Sequence, residues 1–344
     1  MDAGGGAAEP PRVCRHRPRM TTTESGITVG MPVWNAMPWL PEAMESLFHQ
    51  TTEAFEILVI ADSSTDGSTE YLRTLRDHRL RVVEQAHAGL TAALNRLLKE
   101  TRTPWMARMD ADDVSYPSRI AKLQAAIQAH PEAGLIYSLA DYHPRERCAG
   151  QFRCSRGTPE ELRSVVERGY LLSFCHSTVA LHVEKARAAG GYREGIRAED
   201  ADLWWRMARR FEIACVPEPL VGFRQHAASL SAEDTGKQEL AGLYVQYLLL
   251  SELWGLPPRP QAEVGPLLLG FLEPSAVRAK DSLRRLNMHL AQRRRLRGLA
   301  ALAKATWASP GYVVRRMRDE FWHASIANGV APRLFWERKD VLWT

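Results

Sequence analysis

The sequence predicts an α/β domain with a mostly parallel central sheet, helices on both faces, and a helical C-terminal extension. Short apolar runs typical of buried strands alternate with amphipathic helical patterns between residues 26 and 230. Polar turns separate these runs, and from Ala232 onward the pattern is helical. Such alternation is typical of a parallel sheet covered by helices.

The first strand–helix units carry the clearest pattern. Ile27–Gly30 predicts a buried strand that ends at Pro32, and Glu56–Ala61 predicts a second. The turn at residues 62–67 is rich in short polar side chains that close the second strand and cap the next helix. The helix between the two strands follows from apolar residues at helical spacing, namely Leu40, Met44, Leu47 and Phe48.

The same alternation continues along the chain. Further strands are predicted at residues 81–84, 104–109, 134–138, 177–181, 213–216 and 220–224. Further helices are predicted at residues 90–99, 117–129 and 201–211, with a turn at Gly190–Gly191 and an irregular segment at 141–157. Ligands of such sheets bind at the carboxyl ends of the strands, so polar residues that follow strands are the candidate site residues.

The chain divides into three predicted domains, a short N-terminal segment, the α/β domain and the helical extension, whose net charges differ. The net charge of +5 over 344 residues divides into +1 for residues 1–25, −2 for 26–230 and +6 for 231–344. The first segment has no apolar stretch of the kind a secretory signal needs, which predicts disorder there, with Met20 as an alternative start. Within the second, residues 26–140 and 141–230 form the two predicted halves of one α/β domain.

Cysteine usage and hydropathy predict a cytoplasmic protein. The five cysteines show no C-x-x-C spacing, which argues against a zinc ribbon and a dense disulfide framework and favours a reducing compartment. The most lipophilic window, residues 243–256, is interrupted by Gln246, Ser251 and Glu252, so it falls short of a bilayer-spanning helix.

A cluster of carboxylates follows the fourth predicted strand, at Asp110, Asp112 and Asp113. Such groups repel one another unless a cation or an array of donors neutralises them. A sparse set of oxygen ligands suits Mg²⁺ or Mn²⁺, which completes its coordination with substrate phosphate and water. The alternative is a solvated acidic turn that caps the helix after Pro117.

Short motifs follow one another in order along residues 26–230. In the first half they are Met31-Pro-Val-Trp-Asn35, Phe48-His-Gln-Thr51, Glu56-Ile-Leu-Val-Ile-Ala-Asp-Ser-Ser-Thr-Asp-Gly67, Ala88-Gly-Leu-Thr-Ala-Ala-Leu-Asn95, Ala107-Arg-Met-Asp-Ala-Asp-Asp113 and Tyr116-Pro-Ser-Arg119. In the second half they are His176-Ser-Thr-Val179, Gly190-Gly-Tyr192, Glu199-Asp-Ala-Asp-Leu-Trp204 and Phe223-Arg-Gln-His226. Their order and spacing resemble the family 2 glycosyltransferases, which have the GT-A (Rossmann-like) fold.

The resemblance implies a nucleotide-sugar site at the strand ends. Asp62 would accept a hydrogen bond from a base N–H or a ribose hydroxyl, the alternative being a turn-forming role. Asn95 would belong to a helix start that packs against the nucleotide, the alternative being a packing or capping role. Arg108 would pair with the diphosphate, the alternative being a structural salt bridge. The residues that the resemblance assigns to the donor are Pro32, Val33, Trp34, Asn35, Asp62, Gly89, Asn95, Arg108, Asp110 and Ala111.

The resemblance also implies a metal site and a general base. Asp112 would bind Mg²⁺ or Mn²⁺ most directly, with Asp110 nearer the ribose or the water shell of the metal. His226 would contact metal or diphosphate, with a structural histidine as the alternative. Asp113 is left as a helix cap or a support for the ligands. Asp200 is implied as the base that deprotonates the acceptor hydroxyl during an inverting displacement.

Other residues are assigned to the acceptor side. Glu199 is the less favoured base, and its alternative is a favourable interaction with the helix dipole. His176, Glu199 and Trp204 are the acceptor candidates, because one of the adjacent Trp204 and Trp205 could stack on a sugar. Asp202 and Arg206, at i and i+4, predict a surface ion pair.

Two departures from the family pattern restrict the prediction. Ala61 and Ser63 stand where many members carry an acidic residue and a glycine, which leaves Asp62 as the main nucleoside contact. No Q-x-x-R-W motif follows Asp200, which predicts transfer of a single hexosyl or N-acetylhexosaminyl group rather than processive synthesis. The resemblance implies a UDP-sugar donor and a glycan or lipid-linked acceptor in cell-surface polysaccharide biosynthesis.

Other enzyme classes fit the motifs less well. A phosphohydrolase with a D-x-D nucleophile usually continues Gly-Thr, whereas Asp112 is followed by Asp113 and Val114. A nucleotidyltransferase would need a glycine-rich, basic loop after the first strand, which residues 32–36 do not supply. A catalytically inactive sugar- or nucleotide-binding relative remains the alternative.

The basic tail predicts where the protein resides. Residues 275–304 hold nine basic side chains and the single acid Asp281, with Leu283, Leu286 and Leu290 at helical spacing. Such a stretch favours peripheral contact with an anionic membrane, here the inner face of the plasma membrane, and a solvated helix face is the alternative. Nucleic-acid binding by this tail is disfavoured, because no aromatic residues are interleaved with the basic ones.

Overall fold

The computed structural model describes residues 26–148, 150–226, 235–321 and 325–344. The predicted disordered segment 1–25 and the predicted domain boundary at residue 230 lie outside these residues.

The first half of the domain is a parallel strand–helix array. Strands β1 to β4 pair in the order β3-β2-β1-β4, all parallel. The elements are β1 (Ile27–Val33), α1 (Leu40–Phe48), β2 (Glu56–Ala61), α2 (Ser68–Thr74), β3 (Leu80–Glu84), α3 (Leu90–Glu100) and β4 (Trp105–Arg108). Each predicted element of this half is present, because burial on both faces of a parallel sheet makes its strands continuous apolar runs.

The elements after β4 extend the same sheet with mixed pairing. The full order is β3-β2-β1-β4-β7-β6-β8-β5; β6 and β8 are parallel, whereas β7 runs antiparallel to β4 and β6, and β5 antiparallel to β8. The elements are β5 (Val114–Ser115), α4 (Arg119–Ala129), β6 (Ala133–His143), α5 (Pro159–Glu167), β7 (Ala180–His182), α6 (Val183–Ala188), α7 (Glu199–Ala208) and β8 (Glu212–Arg224). The predicted α/β fold is confirmed, and beyond β4 its sheet contains both parallel and antiparallel strand pairs.

Two predicted boundaries are corrected. The strand predicted at 177–181 is a 3₁₀ turn at His176–Thr178 followed by the short strand β7. The two strands predicted at 213–216 and 220–224 form one strand, β8, and both of its ends pair with β6. Its prolines cannot donate to the ladder, and register shifts next to Leu139 accommodate them.

Alternate residues of the central strands feed two core layers, one on each face of the sheet. Along β2, Leu58 and Ile60 belong to one buried cluster, whereas Ile57 and Val59 belong to the other. This alternation follows from the two-residue period of a strand. Because both faces of these strands are covered by apolar side chains, polar side chains meet at the strand ends.

The C-terminal extension is helical, as predicted. It consists of α8 (Thr235–Trp254), α9 (Gln261–Leu268), α10 (Pro274–Ala291), α11 (Arg295–Ala308), α12 (Pro310–Phe321), α13 (Pro332–Trp336) and α14 (Lys339–Leu342). Buried side chains of α8, among them Val245, Tyr247 and Leu249, join the core layer that also contains Trp204. Of the helices in the described residues, none is both long and apolar enough to cross a membrane.

Candidate active site

The acidic and aromatic residues predicted from the sequence converge at one edge of the sheet. Trp34 follows β1, Asp62 follows β2 and Asp110 follows β4. Because these three strands are parallel neighbours, their carboxyl ends open onto the same edge. The end of β8 reaches the same place, since the Nε atom of Arg224 donates to the carbonyl oxygen of Asp112 (2.8 Å).

Asp62 organises the loop that covers this edge. Its carboxylate is buried and accepts hydrogen bonds from the Nε2 atom of Gln85 (2.7 Å) and the backbone N–H groups of Ala88 (2.9 Å) and Gly89 (3.0 Å). Nδ1 of His87 lies 2.9 Å from the same carboxylate. Gly89 has a φ of 85°, which glycine adopts without strain, and α3 begins directly after it.

An exposed aromatic pair lies beside Asp62. The indole of Trp34, half exposed, stacks on the imidazole of His87 with centroids 4.8 Å apart and planes at 25°. Asn35 holds the adjoining turn: its N–H donates to Oγ of Ser64 (3.0 Å), and its Oδ1 accepts from the N–H of Thr65 (2.8 Å). The result is a flat aromatic surface next to a buried carboxylate.

The three aspartates after β4 form a compact cluster. One carboxylate oxygen from each of Asp110, Asp112 and Asp113 lies within 4.8 Å of the others. Nε2 of His226 lies 2.8 Å from Oδ2 of Asp112, and the ring of Trp39 stacks on that imidazole at a centroid distance of 3.7 Å. An imidazole nitrogen from a segment far along the chain therefore lies against the cluster.

Asp113 has a different role from its two neighbours. Its side chain is 1% exposed and accepts hydrogen bonds from the Ser177 hydroxyl and from the N–H of Arg224 (2.8 Å). Burial, together with the charges of Asp112 and Asp110, raises the pKa of Asp113 well above its usual range. Helix α4 begins at Arg119, so Asp113 does not cap it; instead it ties the aspartate loop to β8 and to the 3₁₀ turn.

Two buried arginines support the loop. Arg108 is 1% exposed and forms an ion pair with Asp110, so its guanidinium lies inside the protein. Arg119 is fully buried, and its Nη2 atom donates to the carbonyl oxygens of Arg108 (2.7 Å) and Ser177 (2.6 Å). Burial lowers the pKa of Arg119 to about 10. The salt-bridge alternative for Arg108 is therefore present in the structure.

Glu199 and Asp200 begin α7 beside the aspartate cluster. Burial and the neighbouring Asp200 charge raise the pKa of Glu199 to about 8. Burial also raises the pKa of Asp200, against the lowering effect of the Ala201 N–H that its Oδ1 accepts (2.6 Å). Asp110 raises the pKa of both carboxyls and Arg108 lowers both, which brings the two acidic motifs into one electrostatic unit.

Asn95, His176 and Tyr192 pack together between these motifs. The side chain of Asn95 donates to the carbonyl oxygen of Tyr192 (2.8 Å) and accepts from its N–H (3.0 Å), which is the packing role left open by the sequence. Nε2 of His176 lies 3.1 Å from the hydroxyl of Tyr192. Burial and the Arg108 charge lower the pKa of His176 well below its usual range, so its ring is neutral.

Two predictions for α7 are corrected. Trp204 and Trp205 are both 1% exposed, so neither indole is free to stack on a sugar. Asp202 and Arg206 form a buried rather than a surface ion pair, with Nη2 of Arg206 2.7 Å from Oδ2 of Asp202. The guanidinium also donates to the carbonyl oxygen of Gly191 (2.7 Å), so this pair fixes the Gly190–Gly191 turn onto α7.

Sequence reasoning missed several residues that shape the site. Trp39 belongs to this group, as do Ser177, Arg119 and Arg224, which lay within motifs but received no role. For the two arginines, the available signal was their place in the motifs Tyr116–Arg119 and Phe223–His226. For the contacts of Trp39 and Ser177 the signal was absent, because their partners His226 and Asp113 come from distant segments.

The donor set fits a divalent metal ion. Asp110 and Asp112 supply hard oxygen ligands and His226 a borderline nitrogen, a combination that suits Mn²⁺ and Mg²⁺. The buried carboxylate of Asp113 already accepts hydrogen bonds from the Ser177 hydroxyl and the Arg224 N–H. The residues present could therefore hold one cation while leaving coordination positions for a substrate.

The chain is similar in sequence to known glycosyltransferases. Residues 28–187 match the family model for glycosyl transferase family 2. An uncharacterized glycosyltransferase of Haemophilus influenzae is 30% identical over 189 residues, which cover 53% of this chain and 69% of that protein. The amylovoran biosynthesis glycosyltransferase AmsE of Erwinia amylovora is 28% identical over 193 residues, covering 54% of this chain and 70% of AmsE. The matched region covers 66% of the length of the putative glycosyltransferase EpsE of Bacillus subtilis and 20% of the length of an uncharacterized glycosyltransferase of Rickettsia conorii.

The fold also has a solved counterpart. The S. aureus TarS fragment 1–349, crystallised in complex with UDP-GlcNAc, superposes with a TM-score of 0.54 at 14% identity. The superposition covers 83% of this chain and 92% of the fragment. At this identity the likeness concerns the fold, and it confirms the predicted GT-A architecture.

Proposed function

The chain belongs to glycosyl transferase family 2, and from that premise we propose that it is a metal-dependent, inverting glycosyltransferase. It would move one sugar from a nucleotide-sugar donor to an acceptor hydroxyl. The observation that carries the proposal is the meeting of two acidic motifs, Asp110–Asp112 and Glu199–Asp200, through shared interactions with Arg108. A transferase of this kind needs one carboxylate set for the leaving group and one for the acceptor.

The aromatic surface at Trp34 supports the donor assignment. An exposed indole beside a buried carboxylate offers a stacking face for a nucleobase, since bases stack on aromatic side chains. The carboxylate of Asp62 accepts three hydrogen bonds from the 85–89 loop, so Asp62 would act on the nucleoside mainly by holding that loop in place. We propose a UDP-sugar as the donor, the nucleotide class to which the ligand of TarS belongs.

Asp110, Asp112 and His226 would hold the metal ion. When bound, a divalent ion neutralises the charge that develops on the nucleoside diphosphate leaving group. The chain contributes the fixed geometry of these ligands: Arg119 and Asp113 hold the loop, and Trp39 holds the imidazole. Preorganised ligands need no rearrangement as the sugar–phosphate bond breaks.

Asp200 would accept the proton of the acceptor hydroxyl. As the proton passes to Asp200, the oxygen of the acceptor hydroxyl would attack the anomeric carbon. The bond from that carbon to the diphosphate oxygen breaks, the nucleoside diphosphate leaves, and the anomeric configuration inverts. Burial makes Asp200 a stronger proton acceptor than an ordinary aspartate. Glu199, with a pKa of about 8, keeps its proton at neutral pH and so leaves the base role to its neighbour.

We propose that the acceptor is a glycan or a lipid-linked saccharide in polysaccharide biosynthesis. One of the similar proteins, AmsE, is an amylovoran biosynthesis glycosyltransferase. The absence of a Q-x-x-R-W motif after Asp200 supports single-sugar transfer.

A donor screen with site variants tests the proposal. We expect one of a panel of UDP-, GDP- and dTDP-sugars to release nucleoside diphosphate only in the presence of Mg²⁺ or Mn²⁺. Asp112→Asn and Asp200→Asn should each reduce transfer by at least about 100-fold. Glu184→Gln, which alters an exposed carboxylate on α6, is the matched control and should retain full activity. Nucleotide binding without turnover of any donor would instead indicate an inactive relative.

A further inference from the structure

Helix α11 has its large apolar side chains on the outside. Leu296 is 83% exposed, Leu299 63% and Trp307 92%. The buried positions of the same helix are Gly298, Ala301 and Ala305. A helix that packs only against its own protein shows the reverse arrangement, with large apolar residues buried and small or polar ones outside.

The exposed residues form one stripe along the helix. Leu296, Leu299, Ala300, Ala303 and Trp307 stand at i, i+3, i+4, i+7 and i+11, which places them on one face, and all are exposed. The opposite face approaches α10 closely: a Cβ atom on Gly298 would lie 3.3 Å from Cδ1 of Leu286 and 3.5 Å from Cδ2 of Leu290. Contact through small residues therefore turns the large ones toward solvent.

Basic side chains flank the stripe. Arg293, Arg294, Arg295, Arg297 and Lys304 are all exposed. Residues 282–318 contain no aspartate or glutamate. The combination of an apolar face, a terminal tryptophan and flanking cations matches the surface of an anionic bilayer, where indoles lie at the headgroup level and cations meet phosphate.

We propose that α11 binds anionic lipid headgroups, with Leu296, Leu299 and Trp307 inserted among the acyl chains. A second copy of the chain fits the stripe less well, because a two-fold interface would bring the same arginines of both copies together. An anionic lipid surface supplies the opposite charge. The surface defined by this stripe and its flanking cations is called the α11 face below.

Contacts of α12 connect the α11 face to the predicted half at residues 141–230, which contains the acceptor candidates His176 and Glu199. Nη2 of Arg153 lies 2.8 Å from Oδ2 of Asp319, and Nη2 of Arg316 donates to the hydroxyl of Tyr142 (3.2 Å). Both β6 and the segment after it are thus held against the helix that follows α11. Resting on the proposed function, a membrane-bound α11 would keep this half of the domain near the bilayer, which favours a lipid-linked acceptor.

Vesicle flotation of the full chain tests the membrane contact. We expect binding to vesicles of phosphatidylcholine with 30% phosphatidylglycerol, at least about tenfold stronger than to phosphatidylcholine alone. The apolar variant Leu296→Ser/Leu299→Ser/Trp307→Ser and the charge variant with Arg293, Arg294, Arg295 and Arg297 changed to Gln should each lose about tenfold or more. Val341→Ser, an exposed apolar residue on α14, is the control and should bind as the wild type does.

The outcomes separate this inference from the proposed function. Equal flotation of wild type and both variants, or no binding of wild type to anionic vesicles, would overturn it. A concentration-dependent dimer in sedimentation that Trp307→Ser abolishes would overturn it in favour of a second copy. Donor hydrolysis in free solution should be the same for all variants; its absence in a wild type that still floats would refute the proposed transferase and leave the membrane contact standing.

Discussion

Nε2 of His226 lies 2.8 Å from Oδ2 of Asp112, although 114 residues separate them in the chain. The aspartate follows β4 and the histidine follows β8, and Trp39, after β1, stacks on the imidazole. Three strand ends therefore contribute to one position. This arrangement gives the acidic loop a nitrogen partner and fixes its orientation before any substrate binds.

His226→Ala should weaken metal binding and transfer together. Loss of a nitrogen ligand beside Asp112 leaves two carboxylates to hold the ion, so we expect Mn²⁺ affinity to fall by at least about tenfold. Titration of Mn²⁺ by electron paramagnetic resonance measures it directly. His78→Ala, at a histidine on the surface, is the control. Unchanged Mn²⁺ affinity in His226→Ala would remove His226 from the ligand set.

Trp34→Ala should reduce nucleotide affinity without unfolding the protein. Stacking of a base on an aromatic ring contributes about 1–3 kcal/mol, which corresponds to a fall in UDP affinity of about 5- to 150-fold. Trp34→Phe should retain most of the affinity, because it keeps a flat ring. Isothermal titration calorimetry with UDP checks both variants, and Trp307→Ala, an exposed tryptophan on α11, serves as the control. Equal affinity for Trp34→Ala and wild type would exclude base stacking at this position.

Arg119→Ala should destabilise the fold through the aspartate loop. The substitution leaves the buried carbonyl oxygens of Arg108 and Ser177 without their donor, a cost of about 2–5 kcal/mol in free energy of unfolding. Urea denaturation measures it. Arg76→Ala, at an exposed arginine after α2, should change stability by less than about 0.5 kcal/mol. If the two variants unfold at the same urea concentration, Arg119 is not a support of the loop.

Glu199 should make the protein less stable as the pH rises. Its pKa in the folded protein is about 8, raised by burial and by Asp200 and Asp110 against the lowering effect of Arg108, whereas an exposed glutamate has a pKa of 4.5. Between these values the unfolded chain loses the proton and the folded chain keeps it, so folding stability falls as the pH rises through this window.

The matched variant Glu199→Gln isolates this effect. Because glutamine does not titrate, the fall in urea midpoint between pH 5 and pH 8 should be smaller in Glu199→Gln than in the wild type. Glu184→Gln, at an exposed position on α6, should follow the wild-type profile. Parallel profiles for the wild type and Glu199→Gln would show that Glu199 is ionised in the folded protein at neutral pH.

Features encoded by neighbouring residues were predictable. The strand Glu56–Ala61 is a continuous apolar run bounded by turn residues, and its limits match the structure. The strand predicted at 177–181 failed because its first residues instead close a 3₁₀ turn that places Ser177 against Asp113. The hydrogen bond from the Ser177 hydroxyl to the distant carboxylate of Asp113 cannot be predicted from the residues next to Ser177.

The sequence by itself determined the α/β fold, the family resemblance and the order of the acidic motifs, because each depends on residues close together in the chain. Only the tertiary structure decided which groups meet. It buried Asp202 with Arg206, withdrew Trp204 into the core, and turned Leu296 and Trp307 of α11 toward solvent. The physical reason is that burial and hydrogen bonding depend on which elements pack together, and those partners are supplied by segments many residues away.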